Sequence, residues 1–237
     1  MEDLRVKRLN DQNIRDGDFV LYWMQSSQRI EYNHALEYSI SKSNKLNRSL
    51  LVFFGITDSY SEANERHYYF MLEGLKEVKS TLKQHGIKML IQHISPELGA
   101  VNLSKSASLV IVDRGYTKTE RNWRRIVAKN ITCPLVQVES NAIVPVEVAS
   151  MKEEYSAATF RPKIKRNIAK YLRPIQKTNT EKNELKTEFT SFNITETNKA
   201  ISKLEINKSV PRVKCFHGGT SEAKKHLVPD AHQHIQG

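Results

Sequence analysis

Two kinds of hydrophobic pattern alternate along the first 140 residues of this 237-residue chain. Short unbroken apolar runs read as strands buried on both faces of a sheet. Between them, apolar residues recur at three- and four-residue spacing, as along one stripe of a helix. The strands predicted in this way are 18–24, Leu50-Leu-Val-Phe-Phe-Gly-Ile56, Lys88-Met-Leu-Ile-Gln-His93, Leu109-Val-Ile-Val-Asp113 and Pro134-Leu-Val-Gln-Val138. Helices are predicted near 28–45, with Ser26 or Ser27 as the cap, and from Ser59-Tyr-Ser-Glu62 to about Gln84, with a stripe of Met71, Leu75, Val78 and Leu82. A third helix is predicted from the capping box Thr117-Lys-Thr-Glu120 to about Asn130. The connections are too long for hairpins. The fold class is therefore α/β: an open, mostly parallel five-stranded sheet with helices on both faces.

The pattern changes after residue 140. Residues 160–172 suit a short basic helix with Ile164, Ile168 and Leu172 on one stripe, ended by Pro174. Residues 175–198 are rich in Thr, Asn, Glu and Lys, and read as a long polar linker that cannot bury a core of its own. Apolar positions return at Ile201, Leu204 and Ile206, and Ser221 to Leu227 is helix-like after a Gly218-Gly219 turn. The domain organisation expected is an α/β domain over 1–150, a basic interdomain helix over 151–174, and a linker with the beginning of a second domain over 175–237.

Charge is divided unevenly. Residues 1–150 hold 20 Lys and Arg against 17 Asp and Glu, whereas residues 151–237 hold 17 against 9. The basic excess of the second part suits contact with a polyanion, docking on an acidic neighbouring domain, or a solvated surface. Arg121-Asn-Trp-Arg-Arg125 and Arg161 to Arg173 are the clusters that could touch phosphates. The two cysteines, Cys133 and Cys215, have no framework spacing, which fits a reducing compartment. With no apolar signal at the start and no window of 18 apolar residues, the expected location is cytoplasmic, away from membranes.

Open α/β sheets bind ligands beyond the carboxyl ends of their strands. The residues there are Trp23, Met24, Gln25 and Arg29 after the first strand, and Asp113 and Arg114 after the fourth. An aromatic ring, amides and a guanidinium would suit a flat anionic heterocycle. Alternatively, Trp23 and Met24 end a core strand and Arg29 is solvated. No G-x-G-x-x-G and no G-x-x-x-x-G-K-[ST] is present, which removes the usual dinucleotide and P-loop readings. No G-x-S-x-G elbow supports a serine hydrolase. Arg66 and His67 read as a helix-surface pair. Cys215, His217, His226, His232 and His234 match no common zinc spacing, so no metal is expected.

Several stretches, in order, resemble class II DNA photolyases, the light-driven cyclobutane pyrimidine dimer repair enzymes. They are Val20-Leu-Tyr-Trp-Met24 with Gln28-Arg29 and Asn33-His-Ala-Leu36, Arg66-His-Tyr-Tyr-Phe-Met-Leu-Glu-Gly-Leu75, Leu109 to Asp113 and Val138-Glu-Ser-Asn-Ala-Ile-Val-Pro-Val146. Lys152-Glu-Glu-Tyr-Ser-Ala-Ala-Thr-Phe-Arg-Pro-Lys-Ile164 is the most specific of them, and weaker likeness continues through Leu204 to Val210 and Phe216 to Gly219. The resemblance implies a Rossmann-like N-terminal domain able to hold an antenna chromophore of the deazaflavin type. It also implies a helical domain that binds FAD and takes damaged DNA, and that domain is expected to be absent from these 237 residues. The expected function is thus the N-terminal portion of a light-dependent repair enzyme, not catalytic alone. The alternative is a free-standing pigment- or nucleotide-binding module that docks a separate flavin-bearing chain. The six edge residues are antenna candidates by position alone, and no catalytic residue is assigned.

Overall fold

The computed structural model describes residues 3–185 and 187–230. Among them, six strands form one sheet: β1 (Val6–Arg8), β2 (Phe19–Trp23), β3 (Ser49–Ile56), β4 (Lys88–His93), β5 (Ala107–Asp113) and β6 (Leu135–Val138). Their order is β1-β6-β5-β2-β3-β4, parallel throughout except for β1, which pairs antiparallel with β6. The helices are α1 (His34–Lys45), α2 (Glu65–Gln84), α3 (Pro96–Ser104), α4 (Lys118–Asn130), α5 (Val146–Ala149), α6 (Ala157–Tyr171), α7 (Thr197–Ser202) and α8 (Thr220–Asp230). The α/β class and the parallel sheet are as the hydrophobic runs predict. The strand count is six, not five.

Side-chain alternation divides β2 between the two faces of the sheet. Val20 and Tyr22, with Met24 just beyond, join Leu36 and Ile40 of α1 and Leu72 and Leu75 of α2. Phe19, Leu21 and Trp23 join Ala100 and Leu103 of α3 and Val127 of α4. Every residue of β2, β3 and β5 is buried, which explains why these strands read as continuous apolar runs.

Two predicted helix starts are corrected. α1 begins at His34, where the Asn33 side chain accepts the Leu36 amide at 3.1 Å. Ser26 and Ser27 do not cap it: the Ser26 hydroxyl donates to the Asp113 carboxylate and the Ser27 hydroxyl to Asn141 Oδ1. α2 begins at Glu65 rather than in the Ser59–Glu62 box; Glu62 sits at φ 62, a left-handed conformation that stops a helix from propagating. At its true start, His67 Nδ1 accepts the Asn64 amide at 3.1 Å. The box at Thr117 and Glu120 does open α4, with reciprocal bonds of 3.1 and 3.2 Å.

In the basic helix α6, Ile164 packs with Val144, Ala149 and Tyr171, while Leu172 is exposed. Tyr171, not Leu172, therefore closes the apolar stripe. The described residues of 175–196 form no helix or strand. They nevertheless add to the core already built: Ile194 is buried against the α1/α2 face, and Phe189 meets Phe19 edge-on at 5.8 Å. Phe192 N–H donates to the Ile91 carbonyl at 2.7 Å, so this segment runs beside β4. After it, Ala200 and Ile201 of α7, with Leu204, pack on α2 and the same apolar face.

Candidate functional site: the carboxyl edge of the sheet

The chain leaves β2 to build β3 and β4 on one side, then returns to place β5 on the other side of β2. That reversal makes the C-terminal ends of β2 and β5 the switch point, where such sheets open a crevice. Here the crevice is bridged by the protein itself. The buried Asp113 carboxylate accepts the Gln25 amide at 2.6 Å, the Ser26 and Ser27 amides at 2.7 Å each, and the Ser26 hydroxyl at 2.9 Å. Three successive amides aimed at one point form a nest of the kind that cradles phosphates in other folds. In this chain a carboxylate occupies it. Asp113 thereby anchors the turn after β2.

Beside that turn lies a cleft of about 530 Å³, walled by Met24 and Gln25, by Phe54 and Ile56 at the end of β3, and by Tyr60 and Trp123. The Tyr60 and Trp123 rings meet at 5.9 Å with a 59° tilt. Gly55 also lines the cleft, and a Cβ there would lie 2.7 Å from Pro96 Cα, so only glycine lets α3 approach β3 this closely. His67 adds its ring to the wall while serving the start of α2.

Gln25 is the polar group of interest. Arg124 Nη1 donates to Gln25 Oε1 at 3.2 Å, and Arg124 Nη2 donates to the Gly115 carbonyl at 2.7 Å. A guanidinium can only donate, which fixes the oxygen of the Gln25 amide toward Arg124. The Nε2 end is then left buried without an acceptor among the described residues. Arg124, within one of the clusters read as a phosphate contact, is itself buried and committed to this turn.

The six residues expected at the edge thus divide. Met24 and Gln25 line the cleft, and Asp113 anchors the turn beneath it. Trp23 is fully buried on the α3/α4 face, with its Nε1 unpartnered among the described residues. Arg29 turns away to Asn141 Oδ1 and the Ser140 carbonyl, both at 2.8 Å. Arg114 pairs with Glu139 at 3.2 Å and Glu147 at 3.3 Å. Glu139 also accepts the Tyr116 hydroxyl at 2.6 Å; burial, then that bond, holds the phenol well above its ordinary range. Tyr60, His67 and Trp123 were not singled out as cleft residues. Trp123 stands in sequence as the aromatic within a basic run, and His67 as half of a helix-surface pair.

Among the described residues, no three His, Cys, Asp or Glu side chains gather as a metal ion would require, and no helix is long and apolar enough to cross a membrane. His232 and His234 lie outside the described residues.

Residues 20–182 match the DNA photolyase family. The chain belongs to that family. It is 45% identical over 174 residues to a deoxyribodipyrimidine photo-lyase of Methanothermobacter thermautotrophicus, a match covering 73% of this chain and 39% of the relative. It is 31% identical over 157 residues to the protein of that name from Arabidopsis thaliana, covering 65% and 32%. A marsupial relative from Potorous tridactylus is also 31% identical, over 156 residues. The chain therefore spans well under half the length of these relatives. An archaeal photolyase from Sulfolobus tokodaii, described with two FAD molecules, shares the fold with a TM-score of 0.60 at 14% identity, over 88% of this chain and 46% of that one. A class III photolyase from Agrobacterium tumefaciens aligns with a TM-score of 0.56 at 14% identity, over 81% and 39%. The expected resemblance holds, and what these residues form is the family's N-terminal α/β domain.

Proposed function

We propose that the cleft beside Gln25 holds a light-harvesting chromophore of the deazaflavin type. In this reading, the chain is the antenna-bearing portion of an enzyme that repairs pyrimidine dimers in DNA with light. FAD and the lesion would be held by a helical domain outside these residues, and no FAD or DNA contact is assigned to any side chain here.

The single observation that carries the reading is that Gln25, which lines an apolar cleft, buries an Nε2 with no acceptor among the described residues. A buried amide hydrogen without an acceptor costs about 1–3 kcal/mol. A flat heterocycle bearing a ring carbonyl or nitrogen would supply the acceptor, with Met24 and the Tyr60 and Trp123 rings available for contact. The volume suits it too, since pockets for molecules of this size run to about 300–1,000 Å³.

Titrating the purified chain with a deazaflavin and following the visible absorption and induced circular dichroism tests this. Saturable binding is expected. Trp123→Ala should weaken it about 10- to 100-fold through lost ring contact. Gln25→Ala should weaken it about 5- to 10-fold and also shift the absorption band, which packing alone would not do. A chain that binds no deazaflavin, or binds it equally well in both variants, would sink the proposal.

A further inference from the structure

Arg124 reaches the turn after β2 from the middle of α4, yet it is not one of the described residues that wall the cleft. Two nitrogens of its fork are engaged. Nη2 donates to the Gly115 carbonyl, just before α4, and Nη1 donates to the Gln25 side-chain oxygen. The main chain of Gln25 is tied as well, its amide to Asp113 at 2.6 Å and its carbonyl to Gln28 Nε2 at 3.1 Å. Gln25 and Arg124 are both buried, so neither swings away without losing bonds where water does not replace them.

Turning the Gln25 amide over would set its NH2 group against a guanidinium, which has no lone pair to accept with. Burial pushes the Arg124 guanidinium below its ordinary range, and the Glu120 and Asp113 carboxylates oppose that shift. An arginine in this setting stays charged near pH 7. Its bond to Gln25 is therefore charge-assisted and stronger than one between two neutral amides. Hydroxyls on the same wall, such as Thr57 and Ser61, can rotate to donate or to accept. The Gln25 amide cannot, because one end is already held.

We propose that Arg124 is a positioning residue that sets the hydrogen-bonding sense of the cleft. Through Gln25 it admits a heterocycle presenting an acceptor there, a ring carbonyl or a bare ring nitrogen, and rejects an isostere presenting an N–H. The inference rests on the reading of the cleft as a chromophore site and deepens it, since it assigns selectivity to a residue outside the wall. Rejection follows from donor counting. An N–H brought against Gln25 Nε2 would bury two donors with no acceptor between them, whereas a carbonyl there is bonded. An amide free to turn over would serve either ligand, so the discrimination belongs to the arginine that stops it turning.

Absorption titration of the full chain with a deazaflavin and two isosteres, in which an amino group replaces the C2 or the C4 carbonyl, tests the proposal. The unaltered chain should bind the deazaflavin about 10- to 100-fold more tightly than at least one isostere. Arg124→Gln, whose own amide can donate or accept, should bring that ratio below about 3-fold. Arg124→Lys can only donate, so it should keep most of the preference. Circular dichroism verifies that each variant folds. Gln25→Glu retains the pairing with Arg124 but makes the remaining end an acceptor, so it should invert the preference, and it decides the matter if Arg124→Gln does not fold. A purely structural arginine would weaken all three ligands alike and leave their ratio unaltered. That result, equal binding of the three by the unaltered chain, or a preference not inverted in Gln25→Glu would each overturn the proposal while leaving the chromophore reading in place. Binding of none of the three would overturn that reading and this inference with it.

Discussion

Asp113→Ala should lower the stability of the chain by about 3–5 kcal/mol, the largest loss expected from any single polar substitution here. The carboxylate accepts from three backbone amides and from the Ser26 and Tyr22 hydroxyls, and it is wholly buried. Alanine would leave those amides without an acceptor in a place water does not reach. Asn should fare little better, because its amide nitrogen would face donors where an acceptor is needed. For a domain of this size, each kcal/mol moves the thermal midpoint by about 2–4 °C, so a fall of roughly 10 °C is expected. Loss of the anchor would also free the turn that carries Gln25, so deazaflavin affinity should drop in the surviving folded fraction. Differential scanning calorimetry of the two variants checks the first effect, and an unchanged midpoint would show that the nest is satisfied some other way.

Trp23→Ala should cost about 3–5 kcal/mol as well, through a cavity rather than through lost hydrogen bonds. Trp23 is fully buried among Phe53, Val112 and Val127. The informative partner is Trp23→Phe. It removes a buried N–H that has no acceptor among the described residues, so the saved desolvation offsets part of the lost volume. The expected cost falls to about 1.5 kcal/mol or less. Because Trp23 does not line the cleft, Trp23→Phe should leave chromophore binding unaltered, in contrast to Trp123→Ala. Urea unfolding alongside the absorption titration separates the two roles, and a chromophore-binding defect in Trp23→Phe would return Trp23 to the ligand site.

Much of the fold was legible because the central strands are buried on both faces, which forces apolar residues at every position of Leu50 to Ile56 and Leu109 to Asp113 except the last. β1 escaped notice for the opposite reason: Val6, Lys7 and Arg8 form a three-residue edge strand with mostly exposed side chains, so no period exists to detect. α3 was passed over because a short helix that buries Gly99, Ala100 and Leu103 but exposes Leu98 has no clear stripe. The candidate site followed the same division. Strand ends predict where a crevice lies, and Met24 and Gln25 do line a cleft there, with Asp113 bonded to the turn beside it. Which way Arg29 and Arg114 turn depends on partners more than a hundred residues away in the first case and on Glu139 and Glu147 in the second. Local sequence carries no trace of those partners. Most donors to the Asp113 carboxylate are backbone amides, which have no side-chain signature in a sequence.

The polar segment that follows α6 has a further consequence for the sheet. An edge strand with unpaired amides and carbonyls is a template on which a second chain can pair. β1 takes up the β6 side by antiparallel pairing. On the β4 side, Ser191 Oγ accepts the Ile91 amide at 3.2 Å, the Phe192 amide takes the Ile91 carbonyl, and Phe189 lies under Lys88 at 5.6 Å. The residues that look in sequence like a mere tether thus act as a guard rail against self-association. A fragment that stops at Pro174, where the α/β pattern would suggest cutting, would bare the flank of β4 and tend to stick to its own copies.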